Sequence, residues 1–259
     1  MSVPRLRRQI GAVRRHPVRM ILDIQYSSGA NDWPQLREAA VRAEADGYDT
    51  IWVFDHFDGT VLGGDRPMLE CFTLLGALSA ASTTIGLGTL VANVANRHPA
   101  MLTLAASSAQ RISGGRLRLG IGAGASPRSA FGREHAERGI VLEPEIARRH
   151  AAVVEQIRLL REIEPMPIIV GVNSLGLTDL AAAHADGINV RLGHHRVAEF
   201  VSAARSRTAD RPFEISAWGF LSRREQEIER ARELGVDRLV LVDLGPLTAP
   251  TSARVRTRD

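Results

Sequence analysis

Short apolar runs alternate with longer amphipathic segments along the chain after residue 19. Runs rich in Val, Ile and Leu predict strands, and the segments of helical period between them predict helices, which is the order of βα units in a parallel sheet. The predicted strands are residues 19–25, 50–54, 85–91, 117–121, 167–171, 187–192, 213–217 and 237–242. The predicted helices lie near residues 32–45, 67–80, 99–112, 143–163, 175–186, 196–205 and 223–234. The fold class is therefore α/β.

Three predicted joints between a helix and the next strand share one form. Residues 45–48 read Ala-Asp-Gly-Tyr, residues 185–188 read Ala-Asp-Gly-Ile, and residues 233–236 read Glu-Leu-Gly-Val. Each glycine stands where a helix can end in a left-handed residue before an apolar strand begins. Eight strands without a Gly/Ser-rich linker favour a single (β/α)8 TIM barrel over residues 19–245, with the last helix short or missing. A doubly wound open sheet is the alternative.

All 33 basic residues of the chain are Arg. The absence of Lys excludes a Schiff-base aldolase, a pyridoxal-phosphate lysine and a Walker-type phosphate loop. The basic charge is concentrated at the ends, since residues 20–253 hold 24 Arg against 28 Asp and Glu. We therefore expect a disordered basic arm over residues 1–18 and a basic tail over residues 246–259, with contacts to an anionic partner as the alternative. Neither nucleic acid nor a membrane is an expected partner.

The cellular location is predicted from the chain start and from the cysteine content. Residues 1–19 are too polar for a signal peptide, and no run of about 18 apolar residues predicts a membrane span. Cys71 is the only cysteine and lies in an apolar stretch, so it is interpreted as a small core residue in a reducing compartment. The expected location is the cytoplasm. No ligand spacing in the sequence predicts a metal site.

Polar and aromatic residues follow several of the predicted strands. In a (β/α)8 barrel the C-terminal ends of the strands converge on one mouth, so these residues are candidates for an active site. Asp55 and His56 follow the second strand. His194 follows the sixth strand and is a candidate for the substrate side of the mouth, with an ordinary surface loop as the alternative. Trp218 ends the seventh strand and is a candidate for an apolar wall facing the substrate.

Four segments occur in a characteristic order. They are residues 51–57 (IWVFDHF), residues 84–91 (TIGLGTLV), residues 96–100 (NRHPA) and residues 112–124 (ISGGRLRLGIGAG). This series resembles the bacterial luciferase-like monooxygenase family, including its deazaflavin-dependent branch. The resemblance covers residues 20–190 well and residues 233–242 more loosely. It implies a (β/α)8 barrel that holds coenzyme F420, with flavin mononucleotide (FMN) as the second choice, at the strand C-termini, and it favours a homodimer.

The resemblance also implies roles for residues at the mouth. His56 would lie beside the cofactor ring and carry a proton, with Asp55 orienting it or binding the ring edge. The alternative is a buried histidine satisfied by Asp55. A cis peptide bond between Leu90 and Val91 would back the ring, and Asn93 would hydrogen-bond the ring's polar edge, with a structural role at the rim as the alternative.

Two further segments are implied to contact the cofactor. They follow the fourth and fifth strands and consist of Gly122, Ala123 and Gly124, and of Val172, Asn173 and Ser174. The first segment would let the backbone approach the ring closely. The second would offer N–H groups to a cofactor phosphate, as helix N-termini do, although Ser174 can also serve as a plain N-cap.

Three features depart from the pattern of the family, and one of them is the missing closing helix. Ala125 stands where several deazaflavin dehydrogenases have a catalytic acid, and the link of residues 162–167 is short. The expected function is hydride transfer between coenzyme F420 and a small organic substrate. The alternatives are an FMN-dependent monooxygenase of the same family, a non-catalytic cofactor-binding barrel, and a phosphate-binding isomerase or lyase barrel.

Overall fold

The computed structural model describes residues 20–247, which form a closed barrel of parallel strands paired in sequence order. The strands within these residues are β1 (Ile21–Tyr26), β2 (Thr50–Val53), β3 (Gly86–Asn93), β4 (Leu117–Gly122), β5 (Ile168–Val172), β6 (Gly187–Arg191), β7 (Glu214–Phe220) and β8 (Arg238–Asp243). Six residues of β8 pair in register with β1 and close the barrel. The (β/α)8 prediction is confirmed, and the doubly wound open sheet is wrong.

Helices cover the outside of the barrel. Within the described residues they are α1 (Trp33–Asp46), α2 (Cys71–Ala81), α3 (Pro99–Ile112), α4 (Arg133–Ala136), α5 (Ile146–Ile163), α6 (Leu175–His184), α7 (Val197–Arg207) and α8 (Arg224–Leu234). No helix follows β8 as far as residue 247, where the description ends. The predicted arm of residues 1–18 and residues 248–259 of the predicted tail lie outside the described residues.

Two of the three predicted glycine helix ends are confirmed. Gly47 and Gly235 have φ angles of 84° and 65° and end α1 and α8 in the left-handed region. The prediction for Gly187 is wrong, because α6 already ends at His184 and Ala185 is extended. Gly187 is instead the first residue of β6, where a Cβ atom would lie 2.5 Å from the carbonyl oxygen of Glu214. Close strand packing, rather than a helix cap, explains this glycine.

Alternation along the strands separates two kinds of buried residue. One set, such as Leu22 and Ile24 of β1, packs with the helices in the main core. The other set points into the barrel, and at its N-terminal end it is charged. Arg238 donates to both carboxylate oxygens of Asp23 at 2.7 and 2.8 Å, and burial raises the pKa of Asp23 to about 6. This buried ion pair fills the N-terminal end of the barrel, the end that usually serves stability.

The interior near the C-terminal ends of the strands is apolar. We call this cluster the apolar floor, and its members are Trp52, Phe54, Leu90, Val91, Trp218, Val240, Val242 and Leu244. Four of them, Trp52, Leu90, Val240 and Val242, are buried, and the others are partly exposed towards the mouth. The barrel therefore offers an apolar surface where the βα loops converge, which is the usual position of active sites in this architecture.

Candidate active site

The third strand is irregular at Leu90 and Val91, two members of the apolar floor. The register of β3 against β4 shifts between Thr89 and Ala92, and the Leu90–Val91 peptide bond is cis, as the family resemblance implies. The side chain of Gln25 on β1 donates to the Leu90 carbonyl at 3.0 Å. This hydrogen bond joins β1 to β3 across β2, which lies between them, and holds the bulge in place. Val91 at the bulge is partly exposed.

Glycines on the two following strands make room for the Val91 side chain. A Cβ atom on Gly122 would lie 2.7 Å from Val91 Cγ2, and one on Gly171 would lie 3.0 Å from Val91 Cγ1. Gly122 therefore does not leave its backbone open to a ring as expected, because the Val91 methyl groups fill that space. Gly124 has a φ angle of 74°, which favours glycine, and Ala123 packs on the main core.

Asp55 does not orient His56, in contrast to the expectation. Its carboxylate receives two hydrogen bonds from Arg97, both at 2.7 Å, and one from the backbone N–H of Asn93 at 2.8 Å. Its side chain is only 4% exposed. Strand alternation explains this, because Asp55 continues the face of Ile51 and Val53, which points towards the helices. Asp55 clamps the loops after β2 and β3 together.

The partner of His56 is Glu134, a residue that the sequence analysis did not single out. His56 Nδ1 lies 2.7 Å from Glu134 Oε1, and Glu134 Oε2 accepts from the backbone N–H groups of Phe57 at 2.8 Å and Asp58 at 3.2 Å. Burial raises the pKa of the Glu134 carboxyl, but the hydrogen bonds from His56 and these N–H groups outweigh it and hold the pKa below its usual value. A carboxylate thus reaches the mouth from the segment after β4, nine residues beyond Ala125.

The helix that carries Glu134 is only four residues long, which is why helical period did not predict it. Ser129 caps the 3₁₀ turn Ala130–Gly132 that precedes it, and His135 is buried within it. His135 Nε2 lies 2.8 Å from Asn96 Oδ1 and 3.1 Å from Asn93 Nδ2. The only signal in the sequence is an acid in a long connection after a strand C-terminus, where catalytic residues concentrate.

Asn93 is committed to contacts within the protein. Its Oδ1 accepts from the Ala95 N–H at 2.8 Å, and its Nδ2 faces His135. The alternative role at the rim therefore describes Asn93 better than a contact with the ring edge, because both polar ends of the side chain already have partners.

A second polar region lies where α5 and α6 begin. Ser174 caps α6 by accepting from the Leu177 N–H at 3.3 Å, Val172 is buried, and Asn173 is exposed. Arg149 donates to the Gly124 carbonyl at 3.2 Å, while its buried Nε has no partner among the described residues. The N-terminus of α6 suits an anion, and Arg149 supplies a positive charge in the first turn of α5.

His194 and Trp218 have different surroundings. Trp218 belongs to the apolar floor, and the Arg191 guanidinium lies 5.3 Å from its ring centroid. His194 packs against Phe200 of α7 at 5.0 Å between ring centroids, and its Nδ1 accepts from the Arg196 N–H at 3.1 Å. Burial and the neighbouring His195 lower the pKa of His194. These contacts favour the surface-loop alternative for His194 over a place at the substrate.

Residues 20–247 contain neither a metal cluster nor a membrane-spanning helix. No group of three or more His, Cys, Asp and Glu side chains in this range is arranged to hold a metal ion. No helix in the same range is long and apolar enough to cross a membrane.

Comparison with known proteins identifies the family. The family model for luciferase-like monooxygenases matches residues 20–242. The chain belongs to this family. It is 32% identical over 149 residues to an F420-dependent glucose-6-phosphate dehydrogenase of Amycolatopsis mediterranei, covering 55% of this chain and 42% of that protein. It is 30% identical over 173 residues to a 5,10-methylenetetrahydromethanopterin reductase of Archaeoglobus fulgidus, covering 59% and 47%.

Solved structures share the fold of this luciferase-like protein. An F420-dependent secondary alcohol dehydrogenase in complex with an F420–acetone adduct superposes with a TM-score of 0.70 at 16% identity, covering 88% of this chain and 95% of that chain. The coenzyme F420-dependent tetrahydromethanopterin reductase from Methanopyrus kandleri superposes with a TM-score of 0.67 at 14% identity, covering 88% and 94%. The chain spans about half the length of the curated relatives that it matches.

Proposed function

We propose that this luciferase-like protein is an oxidoreductase that binds coenzyme F420 over the apolar floor and transfers a hydride between it and a small organic substrate. The observation that carries the proposal is the bulge at Val91, which forms part of the apolar floor at the barrel mouth. The side chain of Gln25 holds the bulge by a hydrogen bond, and Gly122 and Gly171 leave space for the Val91 side chain. An apolar surface beside a histidine suits a redox ring that has to be shielded from water. The F420 dependence named for the relatives supports this cofactor over FMN, the second choice.

The residues present fit both ends of such a cofactor. The partly exposed members of the apolar floor, Phe54, Val91, Trp218 and Leu244, would contact the ring and exclude water from it. The N-terminus of α6, capped by Ser174, would bind a phosphate, and the Arg149 guanidinium in the first turn of α5 would contribute positive charge. When bound, the deazaflavin ring supplies the hydride chemistry.

His56 would move the proton that accompanies the hydride. Its side chain is 25% exposed and lies beside Phe54 of the apolar floor, with 6.3 Å between ring centroids. In substrate oxidation a ring nitrogen of His56 would take the proton from the substrate, and in reduction it would return it. We expect His56→Ala to lower turnover at least about 100-fold while the dissociation constant of the cofactor changes much less. Unchanged turnover would contradict this role.

Cofactor binding can be tested by side-by-side fluorescence titration of the full chain with coenzyme F420 and with FMN. We expect submicromolar binding of F420. We further expect Arg149→Met to weaken F420 binding at least about 10-fold, which corresponds to the loss of a charge-assisted bond. The same substitution should leave unchanged the affinity for the deazaflavin chromophore without its phosphate-bearing tail. Arg148→Met is the matched control, since Arg148 is exposed and pairs with Glu143 and Glu145.

Each alternative function has its own outcome in this experiment. Preference for FMN would favour an FMN-dependent monooxygenase. Tight F420 binding without turnover across a panel of alcohols, aldehydes and imines would favour a cofactor-binding barrel without catalysis. Binding of neither cofactor would refute the proposal and leave the phosphate-binding isomerase or lyase.

We also propose a homodimer formed through the outer face of α2 and α3, and a cytoplasmic location. Met101, Leu104 and Ile112 of α3 are 56 to 64% exposed. Met101 and Ile112 also line a groove of about 570 Å³ between α3 and Phe72 of α2. Exposed apolar stripes of this kind are typical of subunit interfaces. Light scattering should show a dimer that Leu104→Glu converts to a monomer, whereas Val41→Glu, which replaces an exposed valine on α1, should leave it intact.

A further inference from the structure

Glu134 and His56 form a pair whose geometry has a consequence for the proton on the imidazole. The Glu134 side chain is 1% exposed, and the His56 side chain is 25% exposed. The N–H groups of Phe57 and Asp58 can only donate, so Glu134 Oε2 must accept from both. The other oxygen, Oε1, faces His56 Nδ1 at 2.7 Å.

The ionisation of Glu134 decides which ring nitrogen carries the proton. Hydrogen bonds from His56 and from the backbone lower the pKa of this carboxyl in spite of its burial, so it is a carboxylate at neutral pH. A carboxylate has no proton to donate, and a close contact with it requires that His56 Nδ1 bears the hydrogen. In the neutral imidazole, Nε2 then carries the lone pair.

The surroundings of His56 leave Nε2 available. Nδ1 is the only ring nitrogen of His56 with a hydrogen-bond partner among residues 20–247. Phe54 and Phe131 flank the ring at 6.3 and 5.5 Å between centroids, and Phe54 belongs to the apolar floor. We infer that Glu134 is a positioning residue that fixes His56 as the Nδ1–H tautomer and so presents Nε2 to the substrate as the proton acceptor. This inference rests on the proposed function for its catalytic part only.

The segment that carries Glu134 is built to hold it in place. Ser129 donates to the Ser126 carbonyl at 2.7 Å and caps the turn before α4. Arg138 donates to the Glu134 carbonyl at 2.9 Å, and its guanidinium lies 5.3 Å from the Phe57 ring centroid. The carboxylate therefore does not depend on His56 for its position, as expected of a group that orients another.

Glu134→Gln separates positioning from a merely structural role. The Phe57 and Asp58 N–H groups require the single amide oxygen of Gln, so the amide NH₂ must face His56 Nδ1. The connection between the two loops is kept, but Nδ1 now has to accept, and the hydrogen moves to Nε2. An Asp-to-Asn exchange beside the histidine of a serine protease has this effect, with intact geometry and a large loss of turnover.

The test is long-range ¹H–¹⁵N NMR of the full chain labelled on histidine, at pH 8, where an ordinary histidine is neutral, with His56 assigned through His56→Asn. We expect the Nδ1–H tautomer in the wild type and the Nε2–H tautomer in Glu134→Gln. Glu137→Gln is the control, because Glu137 adjoins the same short helix and is 53% exposed. The same tautomer in the wild type and in folded Glu134→Gln would overturn the inference. The Nε2–H tautomer in the wild type would also overturn it, and this outcome does not depend on the stability of the variant.

Kinetics provide the second measurement. We expect Glu134→Gln to lower kcat at least about 100-fold, the usual contribution of a positioned acid or base, with F420 affinity within about threefold and a variant that remains folded at the assay temperature. Normal turnover in a variant with the Nε2–H tautomer would overturn the positioning role. A wild type that binds no F420 would instead refute the proposed function, and the NMR result would still decide the tautomer.

Discussion

Replacing Asp55 with asparagine tests whether this carboxylate clamps two loops or takes part in the reaction. The carboxylate is 4% exposed and accepts two hydrogen bonds from Arg97 and one from the Asn93 N–H. The amide of the Asp55→Asn variant would retain one acceptor oxygen and would place an NH₂ group against a donor. The partly buried guanidinium of Arg97 would lose the carboxylate to which it donates two hydrogen bonds.

The cost can be worked from these contacts. Breaking a buried ion pair by removing one partner costs about 3 to 5 kcal/mol. Arg97 keeps a second anion, because its guanidinium also lies 2.5 Å from Glu70 Oε1, so the expected loss is at or just below the lower end of this range. We expect a loss of about 2 to 3 kcal/mol, which lowers the melting temperature by roughly 5 to 10 °C for a domain of this size.

The assay is thermal and urea unfolding followed by circular dichroism, together with turnover at 25 °C. Asp65→Asn is the control, because Asp65 is 82% exposed and its carboxylate pairs only with Arg66 among residues 20–247. A change within about 0.5 kcal/mol is expected. An Asp55→Asn variant that melts like the wild type but has lost turnover would refute the clamp and restore a direct catalytic role.

Two further predictions concern stability. Burial raises the pKa of Glu44, but hydrogen bonds from Thr84 and its neighbours lower it to about 2, so its contribution is complete above pH 4.5 and is lost as the pH falls through 2. Because Glu44 is largely solvated, we expect Glu44→Gln to lower the free energy of unfolding by only about 1 to 2 kcal/mol at pH 7, as measured by urea unfolding. The difference in stability between the wild type and this variant should shrink as the pH falls through 2. Gly122→Ala should cost about 1 to 3 kcal/mol by overpacking against Val91. Adding Val91→Ala should recover part of this loss, and additive losses would contradict the packing explanation.

Much of the barrel could be predicted because its determinants are local. Apolar runs bounded by polar segments mark strands and helices wherever they occur, and Gly47 and Gly235 mark helix ends through a single backbone angle. The cis bond at Leu90–Val91 was expected only through the family resemblance. The failure at Gly187 has a tertiary cause, since the neighbouring Glu214 backbone, rather than a helix end, requires the glycine.

The active site was less accessible to sequence reasoning, because its contacts join distant parts of the chain. Asp55 and His56 are adjacent in sequence, which suggested that they form a pair. Their side chains point in different directions, so Asp55 pairs with Arg97 and His56 pairs with Glu134. No periodicity links residue 56 to residue 134. A helix of four residues gives no detectable periodicity in the sequence, so the role of Glu134 becomes visible only in the folded barrel.

The sequence by itself determined a (β/α)8 barrel and membership of the luciferase-like family, because strand and helix patterning and ordered motifs are written in consecutive residues. Only the tertiary structure decided which side chains meet at the mouth. Strand alternation turns Asp55 towards the helices, the Val91 side chain fills the space above Gly122, and the segment after β4 folds back to bring Glu134 to His56. These partners are chosen by geometry across the barrel, which neighbouring residues along the chain do not encode.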